Sequence, residues 1–62
     1  MFHEFHYTNA LGIRKILVVN DDLKNEKYVC TLYGNGDWCG SGEFTKEELN
    51  DYLKHYHINY QF

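Results

Sequence analysis

Between Ile13 and Phe44 the apolar residues come in short bursts broken by polar or glycine-containing stretches, the rhythm of strands and turns. "IRKILVVN", Ile13 to Asn20, is β-branched and continuously apolar from Ile16 to Val19, and it predicts a strand. "DDLKNE", Asp21 to Glu26, reads as a polar turn, and "KYVCTLY", Lys27 to Tyr33, as a second strand. Asn35-Gly36 then predicts a two-residue hairpin turn, because both central positions of that turn need positive φ. With the turn there, Tyr33 faces Trp38, Leu32 faces Cys39 and Thr31 faces Gly40; a bulged three-residue turn would shift this register by one. Alternation places Val29, Tyr33, Trp38 and Phe44 on one face of the hairpin, and Tyr28, Cys30, Leu32 and Cys39 on the other. The first strand divides likewise, with Ile13, Leu17 and Val19 on one face and Ile16 and Val18 on the other.

At Thr45 the period changes. Thr45 with Glu48 three residues on forms a capping box, and Phe44 with Leu49 a hydrophobic staple. Leu49, Tyr52, Leu53 and Tyr56 follow at i, i+3, i+4 and i+7, one apolar stripe of a helix running to about His57. Lys46, Glu47, Asn50, Asp51 and Lys54 are left to water, and His55 and His57 suit the helix C-terminus electrostatically. Trp38 and Leu53 are expected where helix meets sheet, and replacing either by Ala is expected to cost about 3–5 kcal/mol. Upstream, "FHEFHY" is an edge-strand candidate and "TNALG" the loop after it, while the tail "INYQF" carries no helix signal and either docks or frays.

These elements make one α+β domain, residues 1–62: a small antiparallel meander of three or four strands with one C-terminal helix packed on one sheet face. A chain of 62 residues buries only about 60% of its unfolded surface, so a partner, metal or disulfide would help to stabilise it. At 44% hydrophobic it is too apolar for a disordered chain. No apolar run approaches membrane-spanning length, and the first ten residues lack the pattern of a secretory signal, so the expected location is the cytoplasm. The net charge of −3 and the single Arg, Arg14, argue against nucleic acid as partner. Frequent Asn, Lys and Tyr with no Pro point to an AT-rich genome, such as that of a low-GC bacterium or its phage.

Candidate chemistry changes this picture little. "WCG" resembles the opening of the redox motif Trp-Cys-Gly-x-Cys, but no second thiol follows at that spacing, and Cys39 lies in a hairpin strand rather than at a helix start. Cys30 and Cys39, diagonal across the hairpin, are expected as two buried reduced thiols. His3 and His6 (H-x-x-H) and His55 and His57 (H-x-H) are ligand types for zinc, yet the close Cys pair is missing and i, i+2 positions of a helix diverge. "GSGEF" is not a nucleophile elbow, and "GNGDWCG" lacks the Lys and helix of a phosphate loop. No enzyme, cofactor or metal is therefore expected.

The aromatic surplus carries the functional reading. Both sheet faces look apolar, and one helix covers only one of them. Phe2, Phe5 and Tyr7, the tail from Ile58 to Phe62, or another protein must cover the second. The expectation is a small non-enzymatic protein-binding module, of the kind a phage or mobile element encodes, that docks on and modulates a larger host protein or pairs as a homodimer. Its contact residues would be Tyr28 and Leu32 on the sheet and Glu43, Glu47 and Asp51 around the helix start. The acids there are also compatible with a DNA-mimicking surface, though Lys46 and Lys54 interrupt them. A metal- or thiol-dependent regulator and a small nucleic-acid-binding regulator are the alternatives.

Overall fold

The computed structural model describes all 62 residues, Met1–Phe62. Four strands, β1 (Phe2–Thr8), β2 (Arg14–Lys24), β3 (Lys27–Gly34) and β4 (Asp37–Phe44), pair antiparallel in the order β1-β2-β3-β4. One helix, α1 (Lys46–His55), follows β4 directly and lies against one face of the sheet. The α+β meander is thus of the four-stranded form, and the N-terminal stretch is its edge strand. Each connection is a local turn. Asn9 closes the first, its Oδ1 accepting from the N–H of Leu11 and Ile13 at 3.0 Å each.

The other two turns have two residues apiece, both with positive φ: Asn25 (52°) and Glu26 (64°), then Asn35 (50°) and Gly36 (86°). Asn35-Gly36 reverses the chain as its sequence predicts. The Asp21–Glu26 turn is narrower than expected, because β2 continues through an irregularity to Lys24, which pairs with Lys27. The polar residues from Asp21 to Lys24 extend along a hairpin arm; Asp21 is tied down by the N-terminal ammonium at 3.1 Å and by His3 Nε2 at 3.0 Å.

The β3–β4 register departs from strict alternation. Tyr33 does face Trp38, but the next pair is Leu32 with Gly40, then Thr31 with Ser41, Cys30 with Gly42 and Tyr28 with Phe44. Cys39 is the extra residue of a β-bulge, and Gly40 beside it sits at φ 151°, a conformation that other residues rarely adopt. The bulge reverses facing from Gly40 onward. Phe44 thereby leaves Trp38's face and joins that of Tyr28, Cys30 and Leu32.

That face is the one α1 covers. Leu17, Val19, Cys30, Leu49 and Leu53 are the fully buried residues, with Phe5, Tyr28, Leu32, Phe44, Tyr52, Ile58 and Phe62 packed around them. Each buried aliphatic side chain contributes about 1.5–3 kcal/mol relative to exposure. Three expectations are corrected here. Trp38, expected under the helix, is 65% exposed on the opposite face, while Leu53 is buried as expected. Cys39 is exposed, and only Cys30 is a buried thiol; both are free. Asn50 does not simply face water: its side-chain amide donates to Phe62 O at 3.3 Å and accepts from Phe62 N at 2.8 Å.

At the start of α1 the capping box forms as predicted, with Glu48 N donating to Thr45 Oγ1 at 3.2 Å and Thr45 N to Glu48 Oε1 at 2.9 Å. These hydrogen bonds hold the Glu48 carboxyl below its ordinary range. The helix ends at His55 rather than His57. His57 takes a left-handed φ of 58°, donating from its N–H to Lys54 O at 3.0 Å, and the next N–H, of Ile58, donates to Leu53 O at 2.9 Å. This pair of bonds is a Schellman motif, and it turns the tail back onto the sheet beside the helix. There the Phe62 ring meets Tyr28, His3 and Phe5 at centroid distances of 4.9, 5.3 and 5.8 Å.

Candidate interaction face

Because α1 and the tail share one side of the sheet, the other side has no layer over it. Paired residues share a face, so the register writes out its rows. His6, Ile16, Tyr33 and Trp38 run across all four strands; Glu4, Val18, Thr31 and Ser41 form the next row, and Phe2, Asn20, Val29 and Glu43 the third. Phe2 is 68% exposed and Trp38 65%, at opposite corners of this surface, with Ile16, Val18, Val29 and Tyr33 half-buried between them. A large aromatic ring at an edge with β-branched residues behind it is a surface that gains from being covered. Its charges sit at the margin: Glu43 on β4, Arg14 at the start of β2 opposite Thr8, and on β1 Glu4, 3.2 Å from His6 Nε2.

The expected contact residues fall on both sides of the sheet. Tyr28 and Leu32 lie on the covered face, Tyr28 against Phe62 and Leu32 beside the core. Glu43 lies on the open face, opposite Val29. Glu47 and Asp51 are exposed on α1. The open face therefore brings Glu43 together with Trp38, Tyr33, Val29, Ile16 and Val18, and leaves the other four expected residues elsewhere. The missed signal was Gly40. A glycine inside a strand often marks a bulge, and a bulge there moves Phe44 inward and leaves Trp38 outside.

The reactive side chains are dispersed. His3 and His6 project to opposite faces of β1, His3 toward Phe5, Tyr60 and Phe62 and His6 toward Glu4. No three His, Cys, Asp or Glu side chains converge as metal ligands would. Burial pushes the Cys30 thiol up to about 11. On the covered side, Tyr7 and Tyr52 share a hydroxyl–hydroxyl hydrogen bond and Tyr56 stacks on Tyr7 at 4.2 Å. Burial, then the Tyr52 contact, raises the Tyr7 phenol far above its ordinary value. These tyrosines hold α1 against β1.

No helix is long and apolar enough to cross a membrane. Comparisons with protein-family models, with curated proteins and with solved structures return no match.

Proposed function

We propose that this chain is a small non-enzymatic protein-binding module whose contact surface is the open face of its sheet. The observation that carries the reading is Trp38: a large aromatic, of a residue type enriched at interface hot spots, paired with Tyr33 on a face that nothing in the chain covers. Tyr33, Ile16, Val18 and Val29 supply an apolar centre around Thr31, with Glu4, His6, Ser41 and Glu43 as a polar rim. Leu32 and Tyr28, on the side of the sheet that the helix and tail take, play no part in this contact.

The partner fits the description of a larger protein better than that of a second copy. Four strands about 4.8 Å apart and seven residues long span roughly 400 Å². This is about half of what one partner commonly buries in a stable complex. A homodimer through this face alone would be weak, whereas a larger partner can also reach around the β4 edge. A cytoplasmic setting, with two free thiols, and an origin in a low-GC bacterium or its phage belong to the same proposal, as does modulation of the protein bound.

Sedimentation across a wide concentration range, paired with affinity capture by wild type and by Trp38→Ala, tests the reading. Wild type is expected to capture a discrete partner or to self-associate, and the variant to do neither while staying folded. Capture or self-association that survives Trp38→Ala removes the open face as the contact. Stacking of nucleic-acid bases on Tyr33 and Trp38 is the competing use of such aromatics, but Arg14 is the one Arg of the chain and the net charge is −3. A low-salt gel shift lost in Trp38→Ala would favour it.

A further inference from the structure

A second opening lies on the covered side, between α1 and the β3–β4 hairpin. It has a volume of about 250 Å³, and its lining includes Leu17, Leu32, Phe44, Leu49 and Tyr52, with Gly40 and Gly42 along β4. The two glycines explain why it is there. After the bulge they are the inward-facing residues of β4 between Cys39 and Phe44, and neither has a side chain to fill the space beneath the helix. A Cβ built on Gly40 would meet nothing within 4 Å, and one on Gly42 only the Phe44 ring, at 3.7 Å. The lining carries no formal charge, and Cys30 at its floor is buried.

At the Cys39 end stands a cation. Lys15 reaches along the sheet over Gly34 until its Nζ is 4.0 Å from Cys39 Sγ, and Cys39 lines the opening. None of the ion pairs of the protein uses this ammonium. An apolar trough with an ammonium just outside one end, beside Cys39, that is in no ion pair is complementary to a molecule with an apolar body and one anionic end. Its volume lies between the roughly 150 Å³ that holds benzene and the roughly 300 Å³ where pockets for larger ligands begin. That range accommodates roughly ten non-hydrogen atoms.

We propose that the trough over Gly40 and Gly42 binds a free medium-chain fatty acid, its alkyl chain between Leu32, Phe44 and Leu49 and its carboxylate on Lys15 Nζ. The site is on the opposite side of the sheet from Trp38, so it stands or falls independently of the partner surface.

Methyl NMR of the wild-type protein titrated with sodium octanoate, and separately with 1-octanol, tests this. Octanoate is expected to give saturable shifts at the Leu17, Leu32 and Leu49 methyls and none at Ile16 and Val18 on the other face. Lys15→Gln is expected to weaken octanoate about fivefold, the scale of one partly exposed ion pair, and to leave octanol unchanged. Gly42→Leu fills the trough and is expected to abolish both. The absence of shifts at millimolar octanoate, or shifts confined to Ile16 and Val18, would overturn the site. Equal binding of octanoate to wild type and Lys15→Gln would overturn the carboxylate assignment. The wild-type shift map decides the location even if Gly42→Leu does not fold.

Discussion

Tyr33 and Trp38 face each other across the β3–β4 hairpin, and the pairing slips by one residue immediately beyond them, where Leu32 meets Gly40 instead of Cys39. This slip divides the aromatic residues of the hairpin between two environments. Phe44 goes under the helix, and Trp38 stays in water.

Stability and binding should therefore separate cleanly at Trp38 and Leu53. Trp38→Ala is expected to cost less than about 1 kcal/mol, as for exposed positions generally, while removing partner capture. Leu53 has no exposed surface, and Leu53→Ala should cost about 2–5 kcal/mol. That is a large share of the roughly 3–9 kcal/mol expected of so short a chain. Urea midpoints of the two variants make the comparison.

The tail depends on Asn50. Its amide both donates to and accepts from the main chain of Phe62, and the Phe62 ring closes over His3, Phe5 and Tyr28. Asn50→Ala should lose about 2 kcal/mol, two side-chain hydrogen bonds at about 1 kcal/mol each. Hydrogen exchange at the Phe62 amide is expected to be slow in wild type and fast in the variant.

His57 holds a left-handed conformation at the position where glycine is the usual helix terminator. His57→Gly relieves a strain of about 1–2 kcal/mol, against about 0.5–1 kcal/mol of added chain entropy in the unfolded state. A net gain of about 0.5–1 kcal/mol should appear as a higher thermal midpoint. A fall in the midpoint would mean that the His57 side chain stabilises the motif in some other way.

Alkaline pH should destabilise the fold, and the sign follows from Cys30. Its thiol rises from an ordinary value of 9.0 to about 11 on burial, so the unfolded chain ionises first. The stability from keeping it neutral is complete below pH 9 and is lost as pH climbs from 9 to 11. Tyr7 and Tyr52, also raised by burial, add losses of the same sign at the alkaline end. Denaturant midpoints should fall across this range, and less steeply in Cys30→Val. A flat profile would show that Cys30 is solvated in the native state.

Local features of this chain were legible without coordinates. Thr45 and Glu48 cap a helix through atoms three residues apart, Asn35 and Gly36 reverse the chain through their own φ values, and the β-branched run from Ile16 to Val19 extends by itself. The interaction face was not legible in the same way. Alternation grouped Trp38 with Phe44, and a single extra residue at Cys39 separated them by reversing the facing of Gly40 through Phe44. Gly40 hinted at that residue, but a glycine in a strand is equally consistent with close packing.

What the amino-acid order by itself determined were the strands, the turns, the helix and its cap, because their forces act between residues near one another in the chain. Only the tertiary structure decided which side of the sheet the helix takes, that Asn50 draws the tail onto that same side, and that Trp38 is left facing water. Those outcomes depend on contacts across the sheet and between ends of the chain, where a one-residue slip in pairing exchanges the inside for the outside.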